Sequence, residues 1–303
     1  MDFKTPYIWK NGEFILWDEA LDHNLTHGLH YGTGVFEGIR FYPTSSGPKI
    51  FRLQEHIDRL FYSAGVLEME VPYSKKELIK ATIELIAKCG EWTGYIRPII
   101  YYGTKKMGLY PKGATIETAI SAWKWGKYLA DKAIDVKISK YRRTDPQTAD
   151  MNAKVSGGYY NSVLVSLEIH KEGFDEGLLL STDGNIAEGP GENIFFIKEN
   201  NVYTPSLGTI LPGITRATII QLFKDKFNIN VIEEKISPDR LGEFDEAFFT
   251  GTAAEVTPIG SITYNGNKIN YKSGEDLSLT KKIEAIYKNI VFGKDSEYFN
   301  WLS

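Results

Sequence analysis

One lysine interrupts an uncharged stretch in the middle of the chain, where residues 151–161 read MNAKVSGGYYN. Lys154 stands just before a glycine-rich entrance to a helix that the sequence predicts at 159–170. Removing an ammonium group from water favours the neutral amine, and the neutral amine can attack a carbonyl carbon. A solvated lysine at a helix start is the more common situation for any single lysine, so the neighbouring motifs must decide.

Glu188 lies in a second informative stretch, in which residues 185–195 read NIAEGPGENIF. This carboxylate precedes a tight Gly-Pro-Gly turn and an apolar strand. A carboxylate beside a ring nitrogen keeps that nitrogen protonated, which allows the ring to accept electrons. An ordinary loop acid is the alternative, and this motif alone leaves it open.

Two turns of small residues are candidates for binding an anion. Residues 210–216 read ILPGITR and lead into a helix predicted from about Ile214, and residues 251–254 read GTAA after a strand predicted at 246–250. Main-chain amides at a helix start attract phosphate because they have no partner inside the helix. A routine capped helix and a simple turn are the structural alternatives.

Arg59 is a candidate cation for the same anion, within residues 51–60, which read FRLQEHIDRL. A planar guanidinium can bind phosphate through two parallel hydrogen bonds. Helical spacing equally allows Arg59 to pair with Glu55 at the surface. The local sequence does not choose between these two partners.

In this order along the chain, the stretches resemble the fold-type IV pyridoxal-phosphate enzymes, and most closely the bacterial branched-chain amino acid aminotransferases. The resemblance spans nearly the whole chain and also rests on residues 29–40, LHYGTGVFEGIR, residues 95–98, YIRP, and Glu255. It implies that the amino group of leucine, isoleucine or valine passes to 2-oxoglutarate, a reaction of branched-chain amino acid biosynthesis. Close relatives of the same fold are D-amino acid aminotransferase, (R)-amine aminotransferase and aminodeoxychorismate lyase, and these stay as alternatives.

The resemblance also implies which residues hold pyridoxal 5'-phosphate. The lysine that matches Lys154 binds the cofactor aldehyde and moves the substrate proton, and Glu188 matches the partner of the pyridine nitrogen. Tyr159 matches the tyrosine on the ring hydroxyl, although Tyr160 beside it leaves two candidates. The matching phosphate and ring contacts are Arg59, Leu211, Gly213, Ile214, Thr215, Gly251 and Thr252.

For the substrate, the resemblance implies an apolar pocket and two carboxylate sites. The pocket positions are Tyr31, Phe36, Gly38, Leu109, Trp125, Tyr128 and Tyr159. Arg97 would meet the distal carboxylate of glutamate, while Tyr95 and the amides of Thr252 and Ala253 would hold the α-carboxylate. Tyr31 and Leu109 match positions that reach into a neighbouring subunit, so we expect a homodimer or a larger assembly of dimers.

The fold that the resemblance implies is a two-domain α/β (α+β) fold of type IV. We expect a small N-terminal α/β domain at 1–122, an interdomain loop at 123–135 and a larger cofactor-binding domain with a β-barrel-like core at 136–303. Local patterns predict a hairpin at 7–16 around Asn11-Gly12, a strand at 34–42, and helices at 55–64, 75–89 and 275–291. They also predict that strands at 177–181 and 193–197 pair with each other.

Composition excludes several other classes of protein. With 35 basic and 39 acidic side chains among 303 residues, the chain has a formal charge of only -4, which gives no field for gripping nucleic acid. Cys89 is the only cysteine, and no apolar run approaches the roughly 20 residues of a membrane helix, so we expect cytoplasmic residence. His23, His27 and His30 are close in sequence, but loop and packing roles are more common for such a group than metal binding.

Overall fold

The computed structural model describes residues 3–90, 92–126, 129, 132–275 and 278–303. The chain divides into two compact units that each combine separate segments. The first consists of Met1–Gly126, Ala153–Gly158 and Asn289–Ser303, and the second of Lys127–Asn152 and Tyr159–Lys288. The short segment that contains Lys154 therefore belongs with the N-terminal part of the chain, whereas the predicted domains at 1–122 and 136–303 are continuous in sequence and stay a prediction.

The first unit is built on an antiparallel sheet with two long helices. Its strands and helices are β1 (Tyr7–Lys10), β2 (Glu13–Leu16), α1 (His27–Tyr31), β3 (Gly34–Phe36), β4 (Ile39–Thr44), β5 (Gly47–Ile50), α2 (Leu53–Val66), α3 (Lys75–Cys89), β6 (Gly94–Tyr102) and β7 (Ile116–Lys124). The sheet order is β2-β1-β7-β6-β4-β5, and β3 also pairs with β6. Its core packs side chains such as Ile39, Ile57 and Ile96, each with an exposed fraction of 0%.

Two local predictions in this unit are confirmed at the residue level. β1 and β2 form the predicted hairpin, in which Asn11 and Gly12 adopt the positive φ values of 49° and 98° that the turn requires. α3 runs from Lys75 to Cys89 as predicted, and Ser74 and Glu77 form a capping box at its start.

The strand predicted at 34–42 is wrong as a single element, because it breaks between β3 and β4. Glu37 and Gly38 form the break. The side chain of Glu37 has an exposed fraction of 0% and binds Arg59 and His56, and a Cβ at Gly38 would lie 1.7 Å from the hydroxyl oxygen of Tyr95. The strand is therefore interrupted where one residue has a buried carboxylate and the next has no room for a side chain.

The second unit is built on a sheet of both parallel and antiparallel strands. Its elements are β8 (Ile134–Arg142), α4 (Tyr159–Lys171), β9 (Glu176–Leu180), β10 (Asn193–Lys198), β11 (Asn201–Pro205), α5 (Ile214–Phe227), β12 (Ile232–Glu234), β13 (Glu246–Gly251), β14 (Glu255–Tyr264), β15 (Asn267–Asn270) and α6 (Leu279–Val291), the last of which ends in the first unit. The sheet order is β12-β11-β10-β13-β14-β8-β9, with β15 on β14. A mixed α/β fold with two sheets is thus confirmed, while a barrel-like closure of this second sheet stays a prediction.

The predicted pairing of the strands at 177–181 and 193–197 is wrong. β9 pairs in parallel with β8, and β10 pairs with β11 and β13. A short return at Ile186 does bridge Leu180, but the chain then turns at Gly189–Gly191 into another part of the sheet. The closing helix predicted from residue 275 begins at Leu279. Among the described residues, no helix is both long and apolar enough to cross a bilayer.

Candidate active site

The main chain of Lys154 is fixed on both sides. Its amide donates to the hydroxyl oxygen of Ser63 on α2 at 2.9 Å, and its carbonyl accepts from the amide of Phe36 on β3 at 3.2 Å. Its ammonium nitrogen lies 5.0 Å from the centroid of the Phe36 ring. The lysine is half-buried. The two hydrogen bonds fix its backbone, and its side chain lies against an aromatic face.

A close approach of two main chains supports this placement. Gly32, in the left-handed region at a φ of 66°, would put a Cβ 2.7 Å from the Cα of Gly157, three residues after the lysine. The amide of Gly157 donates to the carbonyl of Gly32 at 3.0 Å. Glycine at both positions lets residues 153–158 lie directly on the chain that leads into β3.

Arg59 binds Glu37, a partner that its local sequence did not indicate. Its Nε donates to Oε1 of Glu37 at 2.6 Å and its Nη2 to Oε2 at 2.9 Å. Glu55, the surface partner that helical spacing allowed, pairs with Arg52 at 2.6 Å instead. The guanidinium has five N–H groups, and this carboxylate engages one edge of it.

His56 completes the buried cluster around Glu37. Its Nδ1 lies 2.7 Å from Oε2 of Glu37 and must donate, because a carboxylate only accepts. Burial acts to raise the pKa of Glu37, but the Arg59 charge and the hydrogen bonds from Arg59 and His56 outweigh it and hold that pKa well below its usual range. Burial also lowers the pKa of His56. At neutral pH the cluster is therefore a Glu37–Arg59 ion pair with a neutral histidine.

Arg97 lies in an aromatic cage on one face of β6. Its guanidinium carbon is 4.7 Å from the ring centroid of Phe36, 5.4 Å from that of Tyr95 and 5.7 Å from that of Trp123. Tyr95 also packs edge-on against Trp125 at 4.5 Å. The Nε of Arg97 is buried and has no hydrogen-bond partner within the described part of the chain. A buried, charged donor of this kind can bind an incoming carboxylate.

Glu188, in the second unit, is the centre of a second carboxylate cluster. Its exposed fraction is 5%. It accepts from Nε of Arg143 at 2.6 Å, from the side-chain amide of Asn193 at 3.1 Å and from the main-chain amide of Leu211 at 3.2 Å. Asn193 also donates to the carbonyl of Leu211 at 3.0 Å. The carboxylate and the amide together hold both sides of the Leu211 residue.

The first turn of α5 carries the predicted anion-binding amides of Ile214 and Thr215. The cap residue Gly213 has extended geometry, with φ of -66° and ψ of 134°, and a Cβ there would lie 2.0 Å from Oδ1 of Asn193. Arg216 turns away from this end, since its Nη2 binds the carbonyl of Pro205 at 3.0 Å and Glu233 at 2.5 Å. The anion site predicted here therefore consists of main-chain amides and a hydroxyl, without this arginine.

Other predicted residues are placed with differing exposure. Gly251, Thr252 and Ala253 are half-buried at the end of β13. Tyr159 is half-buried and Tyr160 has an exposed fraction of 69%, which favours Tyr159 as the inward phenol. Leu109 and Tyr31 have exposed fractions of 87% and 41%. Tyr128 lies outside the described residues.

Sequence reasoning missed four members of these clusters: Glu37, His56, Arg143 and Asn193. Glu37 and His56 stood in motifs that were quoted without roles. The signal for them was a single acid inside an apolar run, together with a histidine three residues before Arg59 on one helix face. No local signal marked Arg143, because its partner lies 45 residues away in sequence.

Metal binding finds no support in these surroundings. His23 accepts from the amide of Leu25, and His30 lies 2.8 Å from the carbonyl of Asn24. His27 is engaged by a hydroxyl and a carbonyl. Within the described ranges, no group of three or more potential ligands is placed to hold a metal ion.

Comparison with known protein families shows which family this chain belongs to. A sequence model of the amino-transferase class IV family matches residues 34–262. The chain therefore belongs to the class IV aminotransferases, a pyridoxal-phosphate-dependent family.

Individual relatives are similar over nearly the full length. A branched-chain-amino-acid aminotransferase from Pseudomonas aeruginosa is 42% identical over 298 residues, which cover 97% of this chain and 95% of the relative. The structure of a branched-chain aminotransferase from Thermoproteus uzoniensis with norvaline is 36% identical, covers 99% of each chain and has a TM-score of 0.92. The PLP form of the branched-chain amino acid aminotransferase from Thermobaculum terrenum is 32% identical, covers 100% of this chain and 99% of that chain, and has a TM-score of 0.91.

Each unit, taken by itself, contains residues whose chemistry fits a polar part of pyridoxal phosphate. The aldehyde needs an amine, which Lys154 has. The ring nitrogen needs a buried anion, and Glu188 is a carboxylate with an exposed fraction of only 5%. The phosphate needs amides, which the first turn of α5 in the second unit has. Gly213 adds a shape requirement, since any side chain there would collide with Asn193.

Proposed function

We propose that this chain transfers the amino group of L-leucine, L-isoleucine or L-valine to 2-oxoglutarate, with Lys154 as the catalytic lysine. The observation that carries the proposal is the fixed backbone of Lys154, bound by Ser63 on one side and Phe36 on the other. Such a placement restricts where the amine can reach, which is what directed proton transfer between neighbouring atoms requires. Pyridoxal phosphate, when bound, supplies the aldehyde and the electron-accepting ring.

In this proposal the Lys154 amine removes the proton from the substrate α-carbon and later returns one. Arg143 and two amide donors bind the oxygens of Glu188, and this carboxylate would hold the ring nitrogen in its protonated form. Tyr159 would bind the ring hydroxyl and Leu211 would pack on the ring. The phosphate would be held by Arg59, by the amides of Ile214 and Thr215, and by the turn at Gly251–Thr252.

Substrate choice would depend on an apolar pocket that also contains a cation. Phe36, Gly38 and Trp125 would accept the branched side chain, with Tyr128 and Tyr159 completing the wall. Arg97 would meet the distal carboxylate of glutamate, which is supported by its buried Nε and its aromatic cage. Tyr95 and the amides of Thr252 and Ala253 would hold the α-carboxylate. A single site could thus accept both kinds of substrate.

We also propose that the active form is a homodimer or an assembly of dimers in the cytoplasm. Tyr31 and Leu109 would complete the pocket of a second copy of the chain. The exposure of Leu109, 87% in the single chain, supports this assignment, because burying a large apolar side chain against a second copy removes apolar surface from water, which is favourable. An active monomer, detected by light scattering during turnover, would overturn it.

The direct experiment is a donor panel with purified holoenzyme. L-leucine, L-isoleucine and L-valine, each with 2-oxoglutarate, should give glutamate. D-alanine, an (R)-amine and aminodeoxychorismate should each react at least about a hundredfold more slowly, a ratio within the range that pocket contacts provide. Faster reaction with one of these three compounds would favour the corresponding alternative enzyme.

A single substitution separates the two substrate classes. Arg97→Met should raise the KM for 2-oxoglutarate strongly, because it removes the cation for the distal carboxylate. The first half-reaction with leucine, followed by the change in cofactor absorbance, should keep most of its rate. An equal loss with both substrates would remove Arg97 from the proposed role.

A further inference from the structure

His27 is a buried side chain of the first unit for which the proposed function has no role. Its exposed fraction is 0%. Its main-chain amide donates to the carbonyl of Gly103 at 2.9 Å, at the end of β6. Its ring lies 5.9 Å from that of Tyr102 and nearly perpendicular to it, at 68°. The imidazole is therefore held on several sides, and its hydrogen bonds have a defined direction.

The two ring nitrogens of His27 bind groups that fix its tautomer. Nε2 lies 2.7 Å from the carbonyl oxygen of Gly108, which can only accept, so Nε2 carries the hydrogen. Nδ1 lies 2.7 Å from the hydroxyl oxygen of Thr33, and in the neutral ring it accepts from that hydroxyl. The histidine links α1 to a loop 81 residues further along the chain.

The peptide that His27 binds is followed in sequence by exposed apolar side chains. Gly108 precedes Leu109 and Tyr110, which have exposed fractions of 87% and 68%. The ring of Tyr31 lies 4.6 Å from the His27 ring. Gly108 has a φ of 97°, in the region that favours glycine, so its peptide has a special geometry at the point where the histidine binds it. One buried imidazole thus contacts Tyr31 directly and Leu109 through the adjoining peptide.

We propose that His27 is a positioning residue that holds Tyr31 and the Gly108–Leu109 peptide in one fixed arrangement, and so sets the preference for branched side chains. The inference rests on the proposed function in one respect, which is that Tyr31 and Leu109 line the substrate pocket of a second copy. Positioning by a fixed donor lowers the entropy that the loop loses when substrate binds.

Three variants separate the parts of this arrangement. His27→Leu removes both hydrogen bonds, and Thr33→Val removes only the hydroxyl bound to Nδ1. His27→Gln keeps an N–H donor that can reach the Gly108 carbonyl, so it should restore part of the effect. His170→Leu is the control, since His170 is exposed on α4 and its Nδ1 lies 2.9 Å from the carbonyl oxygen of Ser166.

The first measurement is hydrogen exchange of the amides at 105–113 in the cofactor-free protein. We expect exchange to be at least about tenfold faster in His27→Leu than in the original chain, intermediate in Thr33→Val and His27→Gln, and unchanged in His170→Leu. This measurement needs no turnover. If His27→Leu does not fold, the other two variants give the same comparison.

The second measurement is the ratio of kcat/KM for L-leucine to kcat/KM for L-alanine in the holoenzyme. Alanine has no branched side chain to contact the pocket, so its kcat/KM should change by less than about twofold. The ratio should fall about tenfold in His27→Leu, within the range for lost apolar contacts in a pocket, and recover in part in His27→Gln. A purely structural histidine would lower both values together.

The outcomes distinguish this inference from the proposed function. Faster loop exchange together with a lower leucine-to-alanine ratio would support the positioning role. Unchanged exchange, or faster exchange with an unchanged ratio, would overturn it while leaving the aminotransferase reaction intact. An original chain that forms no glutamate from leucine would instead overturn the proposed function, and the pocket role of His27 with it.

Discussion

Each compact unit contains a buried glutamate bound by an arginine, and the two differ in what else they hold. Among the described residues, the carboxylate of Glu37 accepts from the side chains of Arg59 and His56 on α2. Glu188 binds the side chains of Arg143 and Asn193 but also the main chain of Leu211. Glu37 therefore orients a cation, whereas Glu188 organises a loop. Substitution of Glu188 should consequently have the wider effect on activity.

Glu188→Gln should give the largest loss of activity. The neutral amide cannot balance a cation, and Arg143 loses its counter-charge. We expect kcat/KM for leucine to fall by roughly a hundredfold or more, the range seen when a preorganised electrostatic partner is removed. Steady-state and single-turnover kinetics measure the loss.

The matched control for this change is Glu284→Gln. Glu284 is also buried, and it is paired with Lys281 and Lys288 at 3.0 and 2.6 Å. We expect it to affect stability without changing kcat/KM by more than about threefold, since it contacts no proposed site residue. If Glu188→Gln and Glu284→Gln lose activity equally, the loss reflects burial of a charge pair in general, and Glu188 has no special role in activity.

Glu37→Gln should reduce stability more than it reduces activity. Removing one partner of a buried ion pair leaves the other uncompensated, which costs about 3–5 kcal/mol. Urea unfolding measures this loss at neutral pH. Glu55→Gln on α2, the helix that carries Arg59 and His56, is the control, because Glu55 belongs to a surface pair with Arg52, and its loss should stay below about 1 kcal/mol.

The pH dependence gives the same comparison a sign. The pKa of Glu37 is lower in the folded protein than in the unfolded chain, so its contribution is present above the unfolded pKa and is lost as the pH falls. Protonation of His56, whose pKa burial lowers, favours unfolding of both the original chain and Glu37→Gln as the pH falls, so it does not by itself close the gap between them. The stability gap between the original chain and Glu37→Gln should therefore shrink below about pH 5. A gap that widens there would contradict the ion-pair description.

Gly213→Ala tests the loop side of the Glu188 cluster. The new Cβ would lie 2.0 Å from Oδ1 of Asn193, so Asn193 must move and weaken its bonds to Glu188 and Leu211. We expect affinity for pyridoxal phosphate to fall about tenfold, equivalent to one lost hydrogen bond to a charged group. Gly191→Ala is the control, as a Cβ there meets nothing within 4 Å. Equal affinities for the two variants would show that the Asn193 contact is dispensable.

Ser63→Ala should have the smallest effect. It removes the acceptor for the Lys154 amide and the donor to the carbonyl of Arg59, at 2.9 Å each. We expect a loss of about 1–2 kcal/mol in stability and a severalfold fall in kcat. Thr82→Val, which loses only a bond to the Leu78 carbonyl inside α3, should change stability comparably but leave kcat unaltered. An unaltered kcat in Ser63→Ala would limit the role of Ser63 to folding.

Local chemistry explains which features the sequence predicts well. The Asn11-Gly12 turn, the Ser74–Glu77 capping box and the start of α5 depend on neighbours within a few residues, and all three are confirmed. The break at Glu37–Gly38 and the partners of β9 depend on tertiary contacts. The predictions of one strand at 34–42 and of pairing between 177–181 and 193–197 were therefore wrong. Lys154 and Glu188 could be identified as candidates from their residue type and the motif around each of them, and their roles stay proposals.

The two arginines show the limit for the site itself. Arg59 was found from its motif, but its Glu37 partner lies 22 residues earlier, in a different element. Arg143 was not found at all, because nothing near it in sequence distinguishes it from Arg142. Periodicity reveals which side chains share a face, whereas a buried charge pair is fixed only when the elements pack.

Covalent labelling tests the role of Lys154 most directly. Purified holoenzyme is reduced with borohydride, digested, and mapped by mass spectrometry for the phosphopyridoxyl label. We expect the label on the peptide that contains Lys154, and none in a Lys154→Ala variant prepared in the same way. A label on another lysine, or no label on a protein that still forms glutamate from leucine, would contradict the central claim.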